Sequence, residues 1–306
     1  MKRFIAGTRG SALALWQTRH VAALLAARGV ESGERIITTQ GDIDQSARLV
    51  GKLEKGFFTQ ELEAALHAKE IDWAVHSLKD LPTRMPAGLV LGAVLERAPA
   101  ADLVLVRPGS VDDTQVIPVK SGGRVGSSSL RRESLLRHFG PSLSAQPLRG
   151  NVPTRVQKLA DGQYDAIVLA EAGVTRLALD LSAFAVFRLN PVRWQCAPGQ
   201  GAVAVQCRAD DDATRDVLSR IDHAHTGRAT GLERDFLRIL EGGCTTPFGC
   251  FVDGSRASLG IASEAGWRSL RIDIPVSPDG AWLQARLDEL NAAPLEVGND
   301  WLTRRV

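Results

Sequence analysis

Cys244 is the residue in this chain whose surroundings most suggest chemistry. It follows Gly242 and Gly243 in the stretch LEGGCTTPFGC. Two glycines followed by TTP predict a loop, which argues against a cysteine that fills a core. Zinc sites favour closer cysteine spacing with histidine partners, and no histidine lies between Cys244 and Cys250. The spacing also departs from the C-x-x-C of redox pairs, and no activating histidine for a protease nucleophile is identifiable. The remaining hypothesis is a thiol that holds a group covalently.

A second group of reactive side chains ends an apolar run. The stretch DWAVHSLKDLPT places His76, Ser77, Lys79 and Asp80 after a predicted strand. Ligands of open α/β sheets bind beyond the carboxyl ends of strands. A carboxylate near cationic side chains carries a proton or stabilises a developing positive charge. The structural alternatives are a capping aspartate beside a surface lysine, and a half-buried histidine with no catalytic role.

Three predicted strand-to-helix junctions combine glycine or serine with arginine. They are GTRGS (7–11), GSSSLRR (126–132) and LRGNVPTR (148–155). The free N–H groups and the dipole of a helix N-terminus attract anions, and arginine binds carboxylates and phosphates in bidentate pairs. Capping alone would explain one such turn, whereas three turns on two lobes favour a shared anionic pocket in a cleft. Because no nucleotide-binding glycine motif occurs, carboxylates are favoured over phosphates.

The composition restricts the class of protein. The 306 residues include 30 Arg and 7 Lys, and the net charge is only +2, which does not favour nucleic acid or a membrane as a partner. No apolar run reaches the roughly 18 residues that span a bilayer. Thr8 and Arg9 interrupt the apolar N-terminus too early for a secretory signal. Four cysteines do not form a disulfide framework, and no His/Cys cluster has metal spacing. We therefore expect a soluble, cytoplasmic protein without a metal.

The elements that must position these residues alternate along the chain. Apolar runs predict strands in RFIAG, IDWAVHS, GLVLGAVL, ADLVLV, RVGSSS, LSAQPLRG, YDAIVLA and GQGAVAVQCR. Amphipathic stretches between them predict helices, including LRRESLLRHF and one that is capped by Ser11 and stops at Gly29, whereas a turn is predicted after YDAIVLA. Past Ile221, a helix, three strand-like runs and another helix indicate a small α+β unit. The predicted fold class is α/β, with two lobes and a small C-terminal α+β domain.

Eight ordered motifs show a family resemblance. They are TRGSALALWQT, KGFFTQELE, WAVHSLKDLPT, GSSSLRRE, LRGNVPTRVQKL, YDAIVLAEAGVTRL, APGQGAVAVQCR and LEGGCTTPFG. Over nearly all of its length, the sequence closely resembles the porphobilinogen deaminase (hydroxymethylbilane synthase) family. The resemblance implies stepwise deaminative condensation of four porphobilinogen molecules onto a dipyrromethane primer, followed by hydrolytic release of the linear tetrapyrrole hydroxymethylbilane. It also implies two lobes resembling type II periplasmic binding proteins, here 1–98 with 199–221 and 99–198, and a C-terminal domain 222–306 that carries the cysteine loop.

The resemblance also implies roles for individual residues. Cys244 matches the cysteine that carries the dipyrromethane cofactor through a thioether, and Asp80 matches the catalytic aspartate that stabilises a cationic azafulvene. Further residues match those that bind the acetate and propionate groups of cofactor and substrate: Arg9, Ser11, Gln17, Lys55, Ser77, Lys79, Ser128, Ser129, Arg131, Arg132, Arg149, Arg155 and Arg176. The implied partner is porphobilinogen, and the family further suggests a monomer that hands its product to the next enzyme of haem biosynthesis.

The segment before the second predicted helix departs from the family pattern. Many members have GGKGLF where this chain has LEKGFF, so that Leu53 and Glu54 replace a double glycine while Lys55 is kept. Glu54 would add negative charge near an acidic substrate, which argues against substrate contact by this loop.

Two non-catalytic alternatives fit the arginine turns. A two-lobe solute-binding protein would close on a small carboxylate ligand, with Cys244 incidental, and a cytosolic sensor would bind an anion in the same way. A solute-binding protein would carry an export signal and lack the third domain. Neither alternative explains Cys244 and Asp80 together.

Overall fold

The structure of the chain is a computed structural model that describes residues 3–39, 59–241, 247–296 and 303–306. Cys244, Lys55 and most of the 39–58 segment lie outside the described residues. The described helices are α1 (Ala12–Ala26), α2 (Gln60–His67), α3 (Leu130–Phe139), α4 (Val152–Ala160), α5 (Glu171–Arg176), α6 (Asp212–Ser219), α7 (Ala224–Glu241) and α8 (Gly280–Ala292). The described strands are β1 (Phe4–Thr8), β2 (Ser32–Ile36), β3 (Trp73–Ser77), β4 (Leu89–Val94), β5 (Asp102–Val106), β6 (Arg124–Gly126), β7 (Ser144–Gln146), β8 (Ala166–Ala170), β9 (Ala185–Leu189), β10 (Val203–Arg208), β11 (Phe248–Asp253), β12 (Arg256–Ser263), β13 (Gly266–Asp273) and β14 (Thr303–Arg305).

The chain divides into two compact units, Met1–Ala98 with Gly201–Thr230 and Pro99–Gln200 with Gly231–Val306. The chain first passes from one unit to the other within ERAPA (96–100), and it does so for the last time within α7. The three-domain boundaries given by the sequence stay a prediction. Within the described part of the chain, no helix is long and apolar enough to cross a membrane.

The first unit contains a five-stranded sheet in the order β2-β1-β3-β10-β4. Strand β1 runs parallel to both β2 and β3, whereas β10 runs antiparallel to β3 and β4. Helix α1 buries Val21 and Leu25 in the core cluster that contains Trp73. Helix α2 buries Leu62 in another cluster with Ile71. Burial of the apolar faces of these helices against the sheet removes apolar surface from water and stabilises this arrangement.

The second unit contains a six-stranded sheet in the order β14-β9-β5-β8-β6-β7. Strands β8, β6 and β7 are neighbours and run parallel, whereas β5 is antiparallel to β8 and β9. Buried residues of α3, including Leu135, join a core cluster with Val104 and Trp194. Leu159 of α4 joins a separate cluster with Leu105. The parallel part of this sheet therefore has its three carboxyl ends along one edge.

The same unit holds a second, smaller sheet. Strands β11, β12 and β13 pair antiparallel in sequence order, and α8 contacts β12 and β13. Leu283, Leu287 and Leu290 are the buried face of α8. The predicted fold class, α/β with a small C-terminal α+β part, is confirmed.

Several boundaries agree with the sequence and several elements were not predicted. The predicted helices over LRRESLLRHF and GAWLQARLDELNA are α3 and α8 residue for residue. Ser11 caps α1 as predicted, although the helix ends at Ala26, three residues before Gly29. The segment after β8, predicted as a turn, is the short helix α5. Strands β2, β9 and β14 were not predicted.

Candidate functional site

Two strand ends of the first unit bring predicted site residues to one edge of its sheet. Strands β1 and β3 are parallel neighbours, with Ala6 opposite Trp73 and Gly7 opposite Ala74. The turn after β1 and the turn after β3 therefore lie side by side. A Cβ at Gly7 would overlap the end of the buried Ile71 side chain, so a larger residue here would have to displace that side chain.

The turn after β1 leads directly into α1. The side-chain oxygen of Ser11 accepts a hydrogen bond from the Ala14 backbone N–H at 3.3 Å, which satisfies one free donor of the first turn. Arg9, just before this cap, is half-buried. The turn thus combines a cationic side chain with a helix N-terminus, a combination that favours anions.

Gln17 joins α1 to the end of β3. Its side chain is only 2% exposed, and its amide Nε2 donates to Ser77 Oγ over 2.9 Å. Because Ser77 Oγ accepts this bond, its own hydroxyl proton is directed elsewhere. Gln17 was predicted to bind substrate carboxylates, and its burial favours an indirect role through Ser77.

Lys79 and Asp80 lie in a single 3₁₀ turn, Leu78–Asp80, directly after β3. The side chains of Leu78 and Leu81 are buried, and the Leu78 backbone N–H donates to the Ala202 carbonyl at 3.0 Å. Together these contacts fix the turn. This anchoring leaves Lys79 half-buried and the Asp80 carboxylate exposed. The predicted catalytic carboxylate thus projects from a rigid strand end.

His76 precedes Ser77 but is buried, and its Nε2 is paired with Gln206 Oε1 at 3.1 Å. Burial is the main reason why the pKa of His76 is lowered to about 4. The hydrogen bond with Gln206 opposes this lowering, and the nearby positive charge of Arg9 adds to it. The imidazole is therefore neutral at pH 7. This environment favours the structural alternative, a satisfied histidine, over acid–base catalysis.

The second unit gathers the other predicted residues at the carboxyl ends of its three parallel strands. Strand β6 is followed by residues 127–129, here called the serine turn, and then by α3. Strand β7 is followed by the junction 148–155, which leads into α4. Strand β8 is followed directly by α5, which ends at Arg176. Ser129 Oγ caps α3 by accepting from the Arg132 N–H at 3.4 Å. Asn151, which the sequence analysis did not single out, caps α4 by accepting from the Thr154 N–H at 2.9 Å.

Ser128 connects two of these turns. Its hydroxyl donates to the Leu148 carbonyl at 2.8 Å and accepts from the Leu148 backbone N–H at 3.0 Å. Two opposed hydrogen bonds from one side chain fix the serine turn against the residue that precedes Arg149. Ser128 was predicted to contact the ligand; in the described structure it positions the neighbouring turn.

Three predicted arginines lie along these turns, all half-buried: Arg149, Arg155 and Arg176. Arg155 Nε donates to the Gly150 carbonyl at 2.7 Å, where the backbone has a φ of 112° that favours glycine. Burial lowers the pKa of Arg176 to about 10, which still leaves its guanidinium charged at pH 7. The edge is therefore cationic.

Arg131 and Arg132, by contrast, are buried and bonded to a carboxylate of the protein itself. Asp102, at the start of β5, accepts from Arg131 Nη2 at 3.0 Å and from Arg132 Nη2 at 2.6 Å. Burial alone would raise the pKa of Asp102, but the two guanidinium groups hold it well below its usual range. Asp102 was not predicted from the sequence, although an acidic residue at the start of the apolar run DLVLV was a signal for it.

The described cysteines have no exposed thiol. Cys196, Cys207 and Cys250 are buried and in the thiol form, and Cys196 Sγ donates to the Cys250 carbonyl at 3.4 Å. Burial raises the pKa of Cys207 to about 11, with Asp211 adding to the effect. These thiols are therefore poor nucleophiles. No group of three or more His, Cys, Asp or Glu side chains suited to a metal occurs among the described residues.

The geometry defines an α/β protein whose strand ends carry helix N-termini, serines and arginines, groups that attract anions. A family model described as "Porphobilinogen deaminase, dipyromethane cofactor binding domain" matches residues 4–216. The chain belongs to the porphobilinogen deaminase family. The predicted family, the transferase class, the hydroxymethylbilane synthase activity and the dipyrromethane cofactor are thereby confirmed.

Relatives over most of the chain carry the same name. Porphobilinogen deaminase of Synechococcus elongatus is 43% identical over 87% of this chain and 84% of its own. That of Nitratidesulfovibrio vulgaris strain Miyazaki F is 39% identical over 96% of this chain and 93% of its own. That of Desulforamulus reducens is 43% identical over 79% and 77%.

Solved structures with a similar backbone include binding proteins. An ancestral arginine-binding protein bound to arginine has a TM-score of 0.41 and 14% identity, covering 79% of this chain and 98% of its own. YhfZ from Shigella flexneri has a TM-score of 0.35 and 14% identity, covering 80% and 98%. At these scores the likeness adds nothing about function, which follows from the family match.

Proposed function

We propose that this chain condenses porphobilinogen units at the edge of the first unit's sheet, with Asp80 as the catalytic carboxylate. The observation that carries the proposal is the anchored 3₁₀ turn after β3, which leaves Asp80 exposed next to the cationic turn after β1. Loss of ammonia from porphobilinogen breaks a C–N bond and leaves a cationic methylene group. A carboxylate fixed beside that position stabilises the charge and accepts the proton released when the new C–C bond forms.

Arg9, Ser11, Ser77 and Lys79 surround this position on the same edge and are proposed to bind substrate carboxylates. Each porphobilinogen carries an acetate and a propionate, and charge-assisted hydrogen bonds to such groups are stronger than neutral ones. Ser77 Oγ accepts from Gln17, so its hydroxyl proton points to a different acceptor. Gln17 thereby orients Ser77 without touching the substrate.

The residues described also fit the dipyrromethane cofactor. It carries about two carboxylates per ring, and the second unit offers Ser129, Arg149, Arg155 and Arg176 after adjacent parallel strands. We propose that these side chains, with Arg131 and Arg132, hold the carboxylates of the cofactor and the growing chain. When bound, the cofactor supplies the primer to which substrate units are added.

We further propose that Cys244 attaches the cofactor through a thioether. Support comes from its place in the motif LEGGC and from the burial of the three described cysteines. Lys55 belongs to the same proposal as a carboxylate contact; both residues lie outside the described part of the chain. A cytoplasmic monomer that takes porphobilinogen and passes its product to the next pathway enzyme completes the proposal.

Intact mass spectrometry of the purified protein tests the attachment. We expect an adduct of two pyrrole units on the unmodified sequence, its loss in Cys244→Ser and its retention in the matched control Cys207→Ser. The adduct should also give a pink Ehrlich reaction. An unmodified mass in a preparation that turns over porphobilinogen would exclude the covalent cofactor, and loss of the adduct in Cys207→Ser alone would move the attachment site.

A further inference from the structure

A buried carboxylate organises the N-terminal turn of α3. Asp102 is 0% exposed and accepts hydrogen bonds from five N–H groups. Three belong to guanidinium groups: Arg131 Nη2 at 3.0 Å, Arg132 Nε at 3.0 Å and Arg132 Nη2 at 2.6 Å. Arg132 thus forms a bidentate pair with Asp102, the geometry in which guanidinium and carboxylate match best.

Two uncharged donors hold the carboxylate from other segments. Trp194 Nε1 donates to Asp102 Oδ2 at 2.9 Å, and Gln200 Nε2 donates to Oδ1 at 2.8 Å. Gln200 also donates to the Ala100 carbonyl at 2.7 Å. Both carboxylate oxygens are therefore fixed by groups that are not arginines.

The other hydrogen bonds of the two guanidinium groups lead to backbone carbonyls. Arg131 Nη1 donates to the Gln195 carbonyl at 2.7 Å, and Arg132 Nη1 donates to the Val168 carbonyl at 3.2 Å. Each guanidinium has five N–H groups, so the network uses some of them and fixes the directions of the others. Long cationic side chains normally lose much rotational freedom when they bind a ligand, and this network removes that freedom beforehand.

We propose that Asp102 is a positioning residue, which orients Arg131 and Arg132 so that their remaining N–H groups bind the carboxylates of the growing pyrrole chain. The inference builds on the proposed function, in which these arginines bind such carboxylates. Asp102 also neutralises one of the two positive charges. The pair together with Asp102 therefore presents a single net positive charge, matched to one ligand carboxylate.

Removing an uncharged donor from Asp102 tests this role without altering any charge. Trp194→Phe deletes the indole N–H and keeps an aromatic ring in the core. Trp267→Phe is the matched control, because Trp267 is equally buried in the same core cluster but donates to the Gln195 side chain at 2.8 Å. KM and kcat for porphobilinogen are measured with the melting temperature of each variant.

We expect Trp194→Phe to raise KM at least threefold with kcat within twofold of the unmodified enzyme, and Trp267→Phe to leave KM within 1.5-fold. A merely structural role lowers the folded fraction, and hence the maximal rate, without moving KM. Equal KM values in the two variants would overturn the proposal. Gln200→Met removes a second donor from the same carboxylate and replaces Trp194→Phe if that variant does not fold.

A second comparison separates this inference from the proposed function. Arg132→Lys should raise KM by itself, and Trp194→Phe should then have a smaller effect on KM in the Arg132→Lys background than in the unmodified enzyme. If Arg132→Lys leaves KM unchanged, the carboxylate-binding role of Arg132 is wrong. If Arg132→Lys raises KM but the two effects multiply independently, the arginine binds ligand without the help of Asp102.

Discussion

The buried His76 makes stability depend on pH in a window that the structure defines. His76 lies on β3, and its Nε2 is 3.1 Å from Oε1 of Gln206 on β10, whose amide is in turn 3.4 Å from Oε1 of Glu63 on α2. Burial is the largest cause that lowers its pKa from 6.5 to about 4, and Arg9 adds to it. Protonation of the folded protein is therefore unfavourable at mildly acidic pH.

The sign follows from which state binds the proton first. As the pH falls below 6.5, the unfolded chain binds a proton at His76 while the folded chain does not, so unfolding becomes more favourable. The effect is absent above pH 6.5 and complete below the folded pKa of about 4. Each pKa unit corresponds to about 1.4 kcal/mol, so the total loss is about 3 kcal/mol, with roughly 2–3 kcal/mol already lost at pH 4.5.

Urea unfolding at pH 7.5 and pH 4.5 measures this loss. His76→Gln keeps an amide donor for Gln206 but cannot titrate, so its free energy of unfolding should fall by roughly 2–3 kcal/mol less than that of the unmodified protein. His67→Gln is the control, because His67 is exposed at the end of α2. It should retain the full pH dependence.

Two outcomes would contradict the role of His76 in this pH dependence. If His76→Gln and the unmodified protein lose the same free energy of unfolding between the two pH values, His76 protonates in the folded state as easily as in the unfolded chain. If His67→Gln removes the dependence instead, the titrating group lies on α2.

Two further substitutions test the site. Asp80→Asn should retain the fold and the cofactor and lower kcat by far more than tenfold, because the amide cannot stabilise a cation or accept its proton; a loss below tenfold, about 1.4 kcal/mol of barrier, would contradict the assignment. Ser128→Ala removes both hydrogen bonds to the neighbouring turn and should cost about 1–3 kcal/mol of unfolding free energy. Ser134→Ala, within helix α3 that follows this turn, is its control, and equal stabilities of the two variants would show that the turns are held by other contacts.

The sequence contained enough to predict most helices and buried strands, since their apolar periodicity and capping residues are local. It did not reveal β2, whose segment SGERI is polar and mostly exposed at a sheet edge. Strand β14 contains only TRR and forms by pairing with β9, more than 100 residues earlier in the chain. Edge strands of this kind depend on tertiary pairing, so their own residues carry little signal.

The sequence predicted which types of residue occur at the candidate site, but it did not predict which of them contact other groups of the protein. The motifs supplied the arginines and serines, but which of them bond to the protein itself depends on distant partners. Asp102 meets Arg132 across 30 residues and Gln200 across 98. Likewise, Gln17 meets Ser77 across 60 residues. One sequence contains no information on such pairs, so buried and ligand-facing donors could not be told apart.

The three parallel strands β8, β6 and β7 set the spacing of the turns along the cationic edge of their sheet. Neighbouring strands lie about 4.8 Å apart because of backbone hydrogen bonds, whatever side chains they carry. The turns that follow them therefore start from a spacing that the backbone pairing sets. Apart from Ser128, whose hydroxyl is bonded to Leu148 in the next turn, residues in one turn can change while the strand spacing stays constant. The affinity of each proposed anion position can then be tuned without changing the distance between positions.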